Sequence, residues 1–77
     1  MRIYLRNVAL EKGVPKAEDD TRKIVGRLTR EGWIGIGGAK HDQYVHPNRP
    51  GVLVVVPRHR KQYPGTAYSI AKTAGWK

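Results

Sequence analysis

This chain reads as an α+β domain, ordered helix, three antiparallel strands, helix, behind an N-terminal arm. Three observations point to that order. Ile24, Val25 and Leu28 recur at helical spacing, giving one narrow apolar stripe. Val52-Leu53-Val54-Val55-Val56 is almost wholly β-branched, the strongest strand signal in the sequence. Ala67, Ile70, Ala71 and Ala74 return to helical spacing near the C-terminal end. Turn formers separate these segments.

Residues 1–17 are read as an arm or an added strand, with Ile3, Leu5, Val8 and Leu10 as its apolar positions and Gly13-Val14-Pro15 as a break. The main domain is expected over residues 18–77. Asp19, Asp20 and Thr21 suit a helix start, because short polar acceptors and negative charge answer the free N–H groups there. Gly26 weakens the helix that follows. Gly32 is placed to end it.

The β-prone stretch Trp33-Ile34-Gly35-Ile36 comes directly after. Gly37 to Lys40 is a turn, and His41 to His46 is the returning strand. Pro47-Asn48-Arg49-Pro50-Gly51 makes a second turn before the valine-rich strand, which Pro57 ends. A basic segment from Arg58 to Tyr63 leads to Pro64-Gly65-Thr66. The last helix is expected from Thr66 to Ala74, closed by Gly75. Two helices then cover one sheet face and leave the other partly open. If Tyr44 points to the helices, period-2 alternation turns His41, Gln43 and Val45 to the open face; a one-residue slip would reverse this.

The 77 residues fit one small domain with a modest core. There is no cysteine, so no disulfide and no thiolate metal site. No apolar run approaches membrane-spanning length, and no signal-peptide apolar region follows the basic start, so a soluble, cytoplasmic protein is expected. The net charge is +9, and every acidic residue lies at or before Asp42. Arg49, Arg58, Arg60, Lys61, Lys72 and Lys77 occupy the acid-free remainder. Nucleic acid is the first partner such a distribution suggests. The alternatives are a basic protein that is merely well solvated, or one held by an acidic protein partner.

His41 is the leading chemical candidate. RNA carries its own nucleophile, the 2′-hydroxyl. Cleavage needs a group to take that proton, one to protonate the leaving oxygen, and positive charge for the phosphorane-like transition state. Histidine moves protons near neutral pH, and Lys40, Arg58 or Lys61 can supply charge. A surface histidine at a strand start with no role is the plainer alternative. His46 sits before a proline at a strand end, where structural roles are common. His59 lies in Pro57-Arg58-His59-Arg60-Lys61, a run suited to a phosphate backbone or simply to solvent. The three histidines lack the spacing of a zinc site, and acid pairs are missing after Asp42, so no cofactor is expected. Trp33 and Tyr44 read as core residues, while the role of Trp76 is open.

From about Thr21 to Trp76 the chain resembles HicA, the small toxin of HicA–HicB toxin–antitoxin pairs. The resemblance runs through Glu31-Gly32-Trp33, then His41-Asp42-Gln43-Tyr44-Val45-His46-Pro47, then Val55-Val56-Pro57-Arg58-His59, then Pro64-Gly65-Thr66 and Ile70-Ala71-Lys72-Thr73-Ala74-Gly75. It implies a double-stranded-RNA-binding-like α-β-β-β-α fold and an mRNA interferase working without a metal. His41 matches the family's catalytic histidine at the head of the second strand. Lys40, Arg58, His59, Arg60 and Lys61 are then the expected RNA-binding residues. The expected partners are mRNA and a HicB-type antitoxin, which covers the His41 face with acidic residues. The sequence departs from the family's Gly-Ser-His step, having Ala39-Lys40 before the histidine. Gly37 and Gly38 are placed to take over the turn, and Lys40 adds a cation. A non-catalytic RNA-binding module of the same fold is the alternative function.

Overall fold

The computed structural model describes residues 16–76, so the arm expected over residues 1–17 lies almost wholly outside the described residues. Helix α1 spans Thr21–Arg30, strand β1 Ile34–Gly37, β2 His41–Val45, β3 Val54–Pro57 and helix α2 Pro64–Thr73. The order is the expected α-β-β-β-α. The strands form one antiparallel sheet in the order β1-β2-β3. Among the described residues, no helix is long and apolar enough to cross a membrane.

Helix α1 begins where the sequence suggests. The Asp20 carboxylate accepts from the Lys23 backbone N–H at 3.2 Å. Both helices end in the same local device. After α1, Gly32 takes φ 93°, Gly32 N–H donates to Thr29 and Trp33 N–H donates to Leu28. After α2, Gly75 takes φ 85°, Gly75 N–H donates to Lys72 and Trp76 N–H donates to Ala71. These are Schellman motifs, which satisfy the last helical carbonyls and need a left-handed residue that glycine supplies without strain.

The motif also explains why Trp33 is not in β1. Its backbone closes the helix and its side chain joins the core beside Leu28. Three other boundaries shift from expectation. Val52 and Leu53 belong to the second turn, because Val52 N–H donates back to Arg49. His46 falls outside β2, its ring bonded to the Asn48 N–H of the second turn and to the Glu31 carbonyl. Helix α2 starts earlier, at Pro64, where a missing N–H costs nothing.

The core joins Ile24 and Leu28 of α1, Trp33, Val54 and Val56 of β3, and Ile70 and Ala74 of the α2 end. Both helices thus cover one face of the sheet, packed on its inward valines. Gln62 is buried among them, donating to the Thr21 hydroxyl at 2.7 Å and the Pro57 carbonyl at 2.9 Å. It ties the start of α1 to the end of β3.

Trp76 docks on the end of α1, donating through Nε1 to Glu31 at 2.7 Å. The Arg27 guanidinium sits 4.3 Å over its ring and bonds the same carboxylate at 2.9 Å. The Trp76 hydrogen bond first, then the Arg27 bond, holds the Glu31 carboxyl below the usual carboxylate range. A depressed folded-state value means stability that is present above the unfolded carboxylate pKa and lost as pH falls through the folded one. Urea denaturation at a series of pH values is expected to show Glu31→Gln less stable than the native protein at neutral pH. The difference should shrink as the solution is acidified.

Candidate active site

The turn between β1 and β2 is built to present His41. Register slips between Gly35 and Gly37, so Gly35 faces Tyr44 while Gly37 faces Gln43 and Ile36 is the extra residue. Gly37 has φ 78°, a left-handed value. At Gly38 a Cβ would overlap the carbonyl oxygen of His41, so no side chain fits there without moving the backbone. Gly37 and Gly38 carry the turn that Ala39-Lys40 enters in place of the family's Gly-Ser.

Strand register decides the faces. Tyr44 lies opposite Val54 and Asp42 opposite Val56, both buried valines. His41 lies opposite Pro57 and Gln43 opposite Val55, on the other face. Tyr44 does pack against the core, so His41 is exposed on the side the helices leave uncovered. Burial, then the Asp42 charge, raises the Tyr44 phenol above its ordinary pKa. That keeps it protonated at neutral pH. The His41 ring makes no hydrogen bond, ion pair or ring contact among the described residues, which leaves both nitrogens for a substrate. Lys40, beside it, is exposed and likewise uncommitted.

Arg58 has a role that sequence reasoning missed. Its Nε donates to Asp42 at 3.1 Å and a terminal nitrogen donates to the Gly38 carbonyl at 2.7 Å. One guanidinium thus grips the strand residue after His41 and the turn glycine before it. A lysine keeps the charge but loses the planar two-point grip. Arg58→Lys is therefore expected to loosen the turn before His41, read as faster amide hydrogen exchange over residues 38–42 with little change in global stability.

The other expected RNA-binding residues sit on the loop after β3. His59 is exposed, its carbonyl accepts from the Thr21 hydroxyl, and its ring lies 6.2 Å from that of Tyr63. Lys61 pairs loosely with Asp19 at 3.7 Å, a contact between exposed groups that leaves it available. Arg60 is exposed and has no side-chain partner among the described residues.

His46 is set apart by its contacts. Its Nδ1 accepts from the Asn48 N–H at 3.1 Å, so the ring proton is on Nε2, which donates to the Glu31 carbonyl at 2.7 Å. The ring stands edge-on to Trp33 at 5.2 Å. It joins the α1 end to the second turn and has no free nitrogen for chemistry. Among the described residues, no three His, Cys, Asp or Glu side chains are grouped to hold a metal ion. A shallow groove along α1, lined by Asp20, Arg22, Ile24, Gly26, Arg30 and Trp76, includes none of the residues around His41.

The domain is thus an α-β-β-β-α fold that sets a basic loop and one exposed histidine on a glycine turn. The family model described as the HicA toxin of bacterial toxin–antitoxin systems matches residues 21–76. The chain belongs to that family. It is a toxin of a toxin–antitoxin pair, and it therefore has an antitoxin partner. No protein of curated function and no solved structure gives a significant match.

Proposed function

We propose that this toxin is a metal-independent endoribonuclease that cleaves mRNA in the cytoplasm, with His41 as its single proton-transferring histidine. The observation that carries the reading is His41 itself: exposed, unengaged, and held at the head of β2 on the uncovered sheet face. The substrate 2′-hydroxyl is the nucleophile. His41 takes its proton or delivers one to the leaving 5′-oxygen. Lys40, His59, Arg60 and Lys61 meet the phosphates, and Arg58 adds charge to the same edge while holding the turn. The products are a 2′,3′-cyclic phosphate and a 5′-hydroxyl.

A HicB-type antitoxin is the partner in this reading. It covers the His41 face, placing acidic residues against Arg58–Lys61 and an apolar contact on Ile34, which is 54% exposed on that face. The test is incubation of RNA with the native protein and with His41→Ala in the presence of a chelator. The native protein is expected to cut and leave cyclic phosphate ends, while His41→Ala binds RNA and does not cut. Cleavage that vanishes with chelator, or persists in His41→Ala, would overturn the mechanism. RNA binding without cleavage by either form would make the protein a binding module only.

A further inference from the structure

Among the described residues, Tyr63 is the most exposed of the large apolar or aromatic side chains, at 74%. A lone exposed tyrosine is ordinary. This one has company. The His59 ring lies 6.2 Å from it, tilted by 59°. Both project from the segment that carries Arg60 and Lys61, and the strand residue at its start, Pro57, is paired with His41. Two rings and two cations thus follow directly on the strand end that is paired with the proposed catalytic histidine.

The backbone beneath these rings is held at several points. Thr21 N–H donates to the Arg60 carbonyl at 3.1 Å, and Gln62 N–H donates to the Asp19 carbonyl at 2.8 Å. His59 N–H turns back to the Pro57 carbonyl at 2.9 Å, and the buried Gln62 amide reaches that same oxygen. Pro64 follows Tyr63 and restricts its backbone to the extended region it occupies. The rings are therefore mounted on an ordered segment while staying exposed. A ring held this way loses little freedom when a flat ligand stacks on it.

We propose that Tyr63 and His59 form a stacking ledge for an unpaired nucleobase next to the scissile phosphate, so that the substrate is single-stranded at the cut. Resting on the endoribonuclease reading above, this assigns the segment a second task. Arg60 and Lys61 hold phosphates, and the rings hold a base face. Bases in a duplex are stacked on each other and offer only their edges, whereas an unpaired base offers its face.

The test uses His41→Ala protein, which leaves bound RNA uncut. Its affinity is measured for a short single-stranded RNA carrying 2-aminopurine and for the same sequence as a duplex. The single strand is expected to bind more tightly, and its fluorescence to be quenched on binding. Adding Tyr63→Ala should weaken single-strand binding roughly 5- to 150-fold, the range for losing one aromatic–base stack. Adding Tyr63→Phe should restore it. The slope of affinity against salt should stay the same in Tyr63→Ala and become shallower in Lys61→Ala.

Unchanged affinity and quenching in Tyr63→Ala, or equal binding of duplex and single strand, would overturn the ledge. If the native protein still cuts RNA in either case, the endoribonuclease reading stands without the ledge. If His41→Ala binds no RNA and the native protein cuts none, that reading fails, and the ledge with it.

Discussion

On the proposed endoribonuclease reading, His41→Ala is expected to reduce the rate of RNA cleavage by about 10²–10⁴-fold, the usual contribution of a positioned proton-transfer group. The fold should be untouched. His41 is exposed, and its ring makes no hydrogen bond, ion pair or ring contact among the described residues, so removing it opens no cavity and strands no buried partner. The loss should appear in kcat rather than KM, since the ring acts on the proton in flight and binds little of the ground state. Thermal unfolding should give the same midpoint for both forms. Loss of activity together with a lowered midpoint would mean that the ring has a structural task. His46→Ala provides the contrast. It removes a ring bonded on both nitrogens and packed on Trp33, so it should lower stability, and lower activity only as folding is lost.

Gly38→Ala is expected to approach the same loss of activity without touching a reacting atom. Its Cβ would overlap the His41 carbonyl oxygen, and backbone cannot rotate aside as a flexible side chain can. Relief requires the turn to open, which carries His41 with it and pulls the Gly38 carbonyl from Arg58. Displacing a reacting group by about 1 Å costs on the order of 10²-fold in rate. Steady-state cleavage assays measure that loss, and amide exchange or chemical-shift differences confined to residues 36–42 and Arg58 would locate its cause. Gly51→Ala is the control. Gly51 also has a left-handed φ, 82°, but a Cβ there meets nothing within 4 Å. It should cost a little stability and leave the site intact.

Much of the fold was legible because its signals are local. The caps of α1, the glycines after both helices, the turns and the strand order all follow from interactions within a few residues. His41 was legible as a candidate, and the open-face argument was legible up to the choice of register. Most boundaries that moved were set by local contacts that the pattern of residue types does not show, such as the Trp33 N–H bond to Leu28 and the Val52 N–H bond to Arg49. The His46 boundary was set by a contact past the local window, its ring bonding the Glu31 carbonyl at the end of α1.

The sequence by itself determined the element order, the basic acid-free second half and the glycine turn that ends at His41. Tertiary structure alone decided which face His41 occupies and what holds it there. The Arg58–Asp42 grip joins residues 16 apart, the His46–Glu31 bond residues 15 apart, and the Trp76–Glu31 bond residues 45 apart. None of these pairs has a signature along the chain. Each exists only because strand register and helix packing bring the partners within hydrogen-bonding distance. Arg58 illustrates the difference: along the chain it is one cation in a basic run, and in the folded domain its planar guanidinium spans the Asp42 carboxylate and the Gly38 carbonyl on either side of the histidine.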